Sequence, residues 1–183
     1  YDCTAQRLEA QSRLGYLPEG APAYPAMTPR GFVQFGLRAR GFSGSALTRA
    51  TGLALERATL GEMADQPIGT LSKGYKRRAA LAAAIAHDPA VLILDEPTDG
   101  LDPNQKDGVR QLIRDMAPEK AIIISTHILE EVPAVCSRTI VIDNGRLLFD
   151  GTPNAFAATG PEKTVESAFR SLTQGLTDGE AAA

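Results

Sequence analysis

Two adjacent acids, Asp95 and Glu96, follow the apolar run Val91-Leu92-Ile93-Leu94 and precede Pro97. An apolar run without alternation is the pattern of a strand buried on both faces. In a parallel sheet, ligands bind outside the carboxyl ends of the strands. Two carboxylates at such an edge are costly to desolvate unless they meet a cation or a polarised water. Asp95 is placed to hold Mg²⁺ through water, because Mg²⁺ keeps several waters and takes few carboxylates. Glu96 is placed to orient or deprotonate an attacking water. The same pair also reads as a strand end that merely caps the next turn, and only its context separates the two readings.

A second group, Leu71-Ser72-Lys73-Gly74-Tyr75, opens an Ala-rich segment. Ser72 is a good helix N-cap, which is sufficient reason for it structurally. Lys73, Lys76, Arg77 and Arg78 then crowd the first turns, where cations oppose the helix dipole at ~0.3–1 kcal/mol each. Either the cluster is a solvated face, or the free N–H groups, a hydroxyl and cations make an anion site. Gly74 in the first turn favours close approach by a phosphate. A third group, Ser125-Thr126-His127, follows the apolar Ile122-Ile123-Ile124. His127 would then lie on the same sheet edge as the two acids, able to donate to a phosphate or align water, although a His at a strand end is commonly structural.

The elements that must carry these groups alternate in a simple order. Leu14–Leu17 is a short strand candidate stopped by Pro18, and a Pro/Ala/Gly-rich loop runs to Met27. Thr28 caps a helix with Pro29 at its first position. That helix runs to about Arg40 and ends at Gly41. A second helix spans Ser45 to Ala58, weakened by Gly52. A loop from Gly61 to Leu71 leads to the Ala-rich helix, which runs from Ser72 to about Ala86. The strand at Val91–Leu94 is followed by a helix from Pro103 to Met116, a second buried strand at Ile122–Ile124 and a short helix from Ile128 to Val135. Asn144-Gly145 joins strands Thr139–Asp143 and Arg146–Phe149 in a hairpin. Pro153 opens a short helix, Val165–Leu172 is amphipathic, and the end at 180–183 frays. Strand–helix alternation implies a parallel α/β sheet.

Bulk properties narrow the function classes. The chain has 183 residues, enough for one domain, with 43% hydrophobic and 22% charged residues, as in an ordinary soluble globular protein. A net charge of −3 argues against a strongly basic nucleic-acid binder. Cys3 and Cys136 are far apart and make neither metal spacing nor a disulfide framework, so a reducing compartment fits. The longest apolar run, Ala79–Ala86, is far short of the ~20 residues that span a bilayer.

Taken together, the three groups resemble the ABC ATPase family. Leu71 through Tyr75 resembles the family signature, usually Leu-Ser-Gly-Gly-Gln. Val91 through Pro97 resembles the Walker B strand, Asp99-Gly100-Leu101-Asp102 the D-loop, and His127 the switch histidine. Leu17-Pro18-Glu19 matches the Q-loop region, with Glu19 where Gln is usual. The Leu-Ser-Lys-Gly-Tyr variant and the tail Val165-Glu166-Ser167-Ala168-Phe169 are similar to the ATPases of ABC-2-type exporters, including the gliding-motility and multidrug-type group. The resemblance implies an α/β, P-loop NTPase-like fold with a mostly parallel sheet and a helical subdomain. It divides the chain at about 18–87 for the Q-loop, helical subdomain and signature helix, 88–150 for the Walker B to switch-His core, and 151–183 for C-terminal helices and tail.

The resemblance also implies ATP and Mg²⁺ as cofactors and two such domains packed head to tail. Asp95 then holds Mg²⁺, Glu96 acts on the water and His127 meets the γ-phosphate. The signature residues Ser72, Lys73, Gly74 and Tyr75 serve the partner domain's nucleotide, through Ser72 and Gly74 above all, and Asp102 links the two sites. Glu19 and the helices from Pro29 to Ala58 would meet a transmembrane permease subunit on the cytoplasmic face of the cell membrane; no nucleic acid is expected as partner. One departure is large: no G-x-x-x-x-G-K-[ST] occurs anywhere, so the Walker A loop that cradles the phosphates is missing. In the family that loop lies upstream of the Q-loop. Truncation accounts for its loss better than decay, since Glu96 and His127 are intact and the sequence opens on Tyr1. Without that cradle, the positioning on which phosphoryl transfer depends is lost, and the chain alone is expected to be inactive. The competing readings are a soluble ABC protein acting on ribosomes or DNA, and a non-catalytic partner offering only its signature helix in trans.

Overall fold

Strands β1 (Leu14–Leu17), β2 (Val91–Asp95) and β3 (Ala121–Ser125) run parallel in the order β1-β2-β3, with Leu17 beside Leu94 and Asp95 beside Ser125. They belong to a computed structural model that describes residues 1–180, with side chains described through residue 173. The fraying expected at 180–183 concerns residues that lie almost wholly outside this range. The chain forms two compact units, the first from Tyr1 to Ser125 and the second from Thr126 onward.

In the first unit, local chemistry sets the helix ends. Helix α1 (Arg7–Arg13) precedes β1. The Oγ1 of Thr28 accepts the Gly31 N–H at 3.0 Å and Pro29 opens α2 (Pro29–Ala39), which ends where Gly41 takes φ +86°. Helix α3 (Gly44–Arg57) follows, and two short 3₁₀ turns at Gly61–Met63 and Ile68–Thr70 lead to α4 (Lys73–Ile85). Asp102 caps α5 (Pro103–Met116) through the Gln105 N–H at 3.0 Å. The core where α2, α3 and α4 meet is built from residues such as Val33, Leu37, Leu55, Leu60 and Ala82. Ala-rich α4 reaches the sheet by a close backbone approach. A Cβ on Gly15 of β1 would strike the Ala84 carbonyl oxygen and lie 2.6 Å from Leu92 Cδ2. Only glycine lets this helix lie so near this strand.

The second unit is held by its own smaller core, around Val132, Val141, Phe156, Val165 and Ala168. Helix α6 (Glu131–Val135) leads to strands β4 (Thr139–Asp143) and β5 (Arg146–Gly151), an antiparallel hairpin. Its turn residues Asn144 and Gly145 both have positive φ, at +47° and +73°, as the tight hairpin turn demands. Arg138 grips Asp150 with both ends of its guanidinium, each at 2.6 Å. Helices α7 (Pro153–Thr159) and α8 (Val165–Glu180) follow, and the rings of Phe149 and Phe156 lie 4.8 Å apart.

Several expectations need correction. Helix α1 was not anticipated, because Arg7–Arg13 has no apolar periodicity and buries none of its residues. The helix after His127 starts at Glu131 rather than Ile128, and α8 runs to Glu180 rather than Leu172. Neither apolar strand is sealed on both faces. In β2, Leu92 and Leu94 are buried while Val91 and Ile93 are only half-buried. In β3, Ile123 is 59% exposed. Strand β3 is the last in its sheet among the described residues, and its alternate positions face outward.

Candidate functional site

The carboxyl ends of the parallel strands form one edge, and the chemistry gathers there. Asp95 is the last residue of β2, and its Oδ1 accepts the Ser125 hydroxyl of β3 at 2.5 Å. Strand register makes this contact, since Asp95 and Ser125 face each other across the ladder. The bond fixes one carboxylate oxygen while the residue stays half-buried. Glu96 follows with φ +49°, the left-handed region that costs a residue with a side chain. Its N–H donates to the Ser125 carbonyl at 2.9 Å, and its carbonyl accepts the Asp99 N–H at 3.1 Å. A strained residue directly after the strand-end acid is the kind of outlier that clusters at functional sites.

Glu19 lies exposed just past β1, and the residues after it, Gly20 and Ala21, turn the chain with φ of +73° and +47°. Ser72 caps α4, accepting the Tyr75 N–H at 3.4 Å, and is itself exposed. Of the cations that follow, Lys73 and Arg77 both turn to Asp99, while Arg78 turns to Thr59 and Tyr75. Lys73 Nζ pairs with Asp99 Oδ2 at 2.9 Å. Arg78 donates to the Thr59 carbonyl at 3.0 Å and lies 4.4 Å over the Tyr75 ring. Arg77 is 2% exposed, and its guanidinium reaches the carbonyls of Pro18 and Asp95 and the carboxylate of Asp99. Gly74 also has an internal reason. A Cβ there would collide with Gln105 Oε1 and press on Leu101, so glycine is what lets the α4 start pack against the start of α5. Asp102 is occupied in capping α5.

The first unit therefore brings Asp95, Glu96, Ser72, Lys73, Gly74, Tyr75, Glu19 and Asp102 onto the loops and helix ends around β1 and β2. His127 belongs to the second unit, two residues beyond Ser125, and is exposed. It is bracketed by a small network: the Thr126 hydroxyl donates to Glu131 Oε2 at 3.0 Å and accepts the Ile128 N–H at 3.0 Å. Glu131 is 1% exposed. Sequence reading missed Glu131 and gave Arg77 only as one of four cations. Buried charge has no sequence signature of its own, because it depends on partners brought from elsewhere in the chain.

Comparison with known proteins adds the following. The model of the ABC transporter family matches residues 2–99. Nod factor export ATP-binding protein I of Burkholderia orbicola is 40% identical over 147 residues, covering 80% of this chain and 48% of that protein. Human ATP-binding cassette sub-family A member 2 is 37% identical over 141 residues, covering 76% of this chain and 6% of that one. The chain spans about half the length of the bacterial relatives it matches. Among solved structures, an ATP binding subunit of an ABC transporter superposes with a TM-score of 0.82 at 23% identity, covering 94% of this chain and 73% of that one. CbiO1 from Clostridium perfringens, part of the ABC transporter complex cbiONQ, gives 0.72 at 30% identity, covering 82% and 61%.

Proposed function

The chain belongs to the ABC transporter family, and on that premise we propose that it forms part of the subunit that binds and hydrolyses ATP to drive a membrane exporter. The observation that carries this is the Asp95–Glu96 pair at the carboxyl end of β2, with Asp95 steadied by Ser125 and Glu96 in a strained backbone. Asp95 would hold Mg²⁺ through water. Its donor set fits, since one oxygen is engaged by a hydroxyl and the half-buried carboxylate needs no other protein ligand for a cation that prefers water and phosphate. Mg²⁺ supplies charge that offsets the phosphoryl oxygens. Glu96 orients or deprotonates the attacking water, and His127 meets the γ-phosphate.

Ser72 and Gly74, with Lys73 and Tyr75, form the face offered to the nucleotide of a second, head-to-tail ATPase domain, and Asp102 links the two sites. Lys73 is turned toward Asp99 of its own chain, so its share in that face is the smallest. A permease subunit docks on Glu19 and the α2–α3 region at the cytoplasmic surface of the membrane. Exposed aromatics support that docking: Tyr24 is 53% and Phe35 48% exposed, their rings 5.7 Å apart edge to face. No helix among the described residues is long and apolar enough to cross a membrane. The export direction and the ABC-2 class rest on the Leu-Ser-Lys-Gly-Tyr variant and on the names of relatives such as the Nod factor export protein.

The test is Glu96→Gln in the whole protein. ATP binding is expected to persist while hydrolysis slows by ~10²-fold or more, the contribution of a general base. Hydrolysis at the normal rate removes the assignment. A companion measurement concerns the 183 residues alone. They contain no G-x-x-x-x-G-K-[ST] loop, and so lack the N–H donors and Lys that make the strong, charge-assisted phosphate contacts. Calorimetric titration is expected to find weak Mg-ATP binding and no turnover. Tight binding would point to a different nucleotide site.

A further inference from the structure

The loop that leaves β2 is held from a direction that the strand does not supply. Glu96 begins a turn closed by its own carbonyl on the Asp99 N–H at 3.1 Å, and the Leu101 N–H continues it onto the Thr98 carbonyl at 3.2 Å. Thr98 is 1% exposed and Leu101 7%, so the turn is buried on its inner side. The far end of this turn, Asp99, presents its carboxylate to two cations of α4. Lys73 Nζ is 2.9 Å away and the Arg77 guanidinium 3.6 Å away. Gly100 takes φ +71°, and the Lys73 stem lies where any Cβ would stand, so the lysine is laid across the turn. Arg77 does more than pair with Asp99. The same guanidinium reaches back to the carbonyl of Asp95 at 3.4 Å and to that of Pro18 at 3.5 Å, at the ends of β2 and β1.

We propose that Arg77 and Asp99 are the positioning residues of Glu96: together they clamp the turn whose first residue is Glu96 and hold that residue in its left-handed backbone. A strained backbone persists only where its surroundings over-determine it. Here the strand side is fixed by the Ser125 carbonyl on the Glu96 N–H, and the loop side by Asp99 on α4. Arg77, 2% exposed, is a rigid planar donor that ties both strand ends and the turn to one helix, which a lysine cannot do. Lys73, 67% exposed, adds charge to Asp99 but closes no link to the strands. The inference rests on the role of Glu96 proposed above. It makes the α4 helix, whose first turn faces the partner domain in that reading, the element that also sets the water-activating carboxylate of its own domain.

The test compares Asp99→Asn, Arg77→Met and Arg77→Lys in the whole protein, with Glu96→Gln alongside. Displacement of a reacting group by about 1 Å can cost ~10²-fold in rate, so Asp99→Asn and Arg77→Met are expected to lower kcat by roughly tenfold to a hundredfold. KM for ATP and ATP binding should stay near normal, and the double variant should be no slower than the slower single one, because both cut one link. Arg77→Lys should recover part of the loss. Normal kcat in folded Asp99→Asn and Arg77→Met overturns the proposal. So does a uniform loss of folded protein in both, which would make the pair a fold requirement. Because Asp99 is 38% exposed on its side chain, its amide variant decides the matter if Arg77→Met does not fold. Normal hydrolysis in Glu96→Gln overturns the role of Glu96 itself. Slow hydrolysis there beside normal kcat in the Asp99 and Arg77 variants overturns only the positioning.

Discussion

Ser72 shows how one side chain can serve stability and function at once, and how far the two can be separated. Its hydroxyl accepts the Tyr75 N–H at 3.4 Å, a long bond, and the residue is exposed. Loss of an N-cap hydroxyl costs ~1 kcal/mol, and a bond this long belongs at the weak end of that range. Ser72→Ala is therefore expected to lower the urea midpoint of unfolding only slightly. If Ser72 meets the nucleotide of a second domain, ATP-dependent association, followed by light scattering or sedimentation, should fall far more than stability does. A variant with normal association and only reduced stability would leave Ser72 as a cap alone. The neighbouring cations show the opposite case. Arg77 and Lys73 carry full charges at a helix start, where the dipole opposes them, yet each is answered by Asp99 in the same chain.

Where β1 meets α4, the backbone of Gly15 packs directly against the Ala84 carbonyl. Gly15 is buried, with the Ala84 carbonyl oxygen, Leu92 and Pro89 all where a Cβ would go. Gly15→Ala must push the helix away from the strand, and overpacking of this kind costs typically about 1–3 kcal/mol. Chemical denaturation should show that loss, while Gly36→Ala in α2, where a Cβ meets nothing within 4 Å, should be neutral or slightly stabilising. Equal stability of the two variants would mean that α4 and β1 are not so closely seated. The shift matters for the site, since α4 carries Ser72 and Arg77 and β1 leads directly to Pro18 and Glu19.

Stability of the molecule as a whole should depend on pH through His87, at the end of the fold away from the acids. Its Nε2 lies 3.1 Å from the Leu14 carbonyl, so that nitrogen carries the proton and donates. Its Nδ1 is buried with no hydrogen-bond partner among the described residues. Charging the ring would place a second N–H there with nothing to receive it. Burial above all holds its pKa below the ordinary 6.5, with Arg40 and Lys120 adding to the effect and the Leu14 carbonyl and Asp88 opposing it. The unfolded chain thus binds the proton more readily than the folded one. The stability contribution is complete above about pH 6.5 and is lost as the pH falls below it. Melting temperatures measured at about pH 7.5 and pH 5.5 should fall on acidification, and His87→Gln should reduce that fall. An identical fall in the variant would assign the effect to other groups; Asp88 is not among them, because Lys120 holds its pKa below the ordinary 3.8 and it stays ionised throughout this range.

The sequence by itself determined whatever depends on neighbours within one turn. The caps at Thr28 and Ser72 were legible because a hydroxyl meets an N–H three residues on; those at Asp102 and Thr152 were found only in the structure. The Asn144-Gly145 hairpin was legible because few residues tolerate positive φ in succession. The acids Asp95 and Glu96 could be read as a strand-end pair because an apolar run precedes them. Tertiary structure alone decided what each charge meets. Ser125 holds Asp95 because strand register, not sequence distance, sets them opposite each other. Gly74, which the sequence suggested was small for a phosphate, is small at least as much for Gln105 and Leu101. Ile123 looked like core and is exposed, since a run of three isoleucines does not reveal whether both faces of its strand are covered. Arg77 looked like one of four surface cations and is the most buried of them, because its partners come from two other segments, Pro18 after β1 and Asp95 and Asp99 at the end of β2. Burial of a charge is affordable only when such partners converge, and convergence is a property of the folded chain.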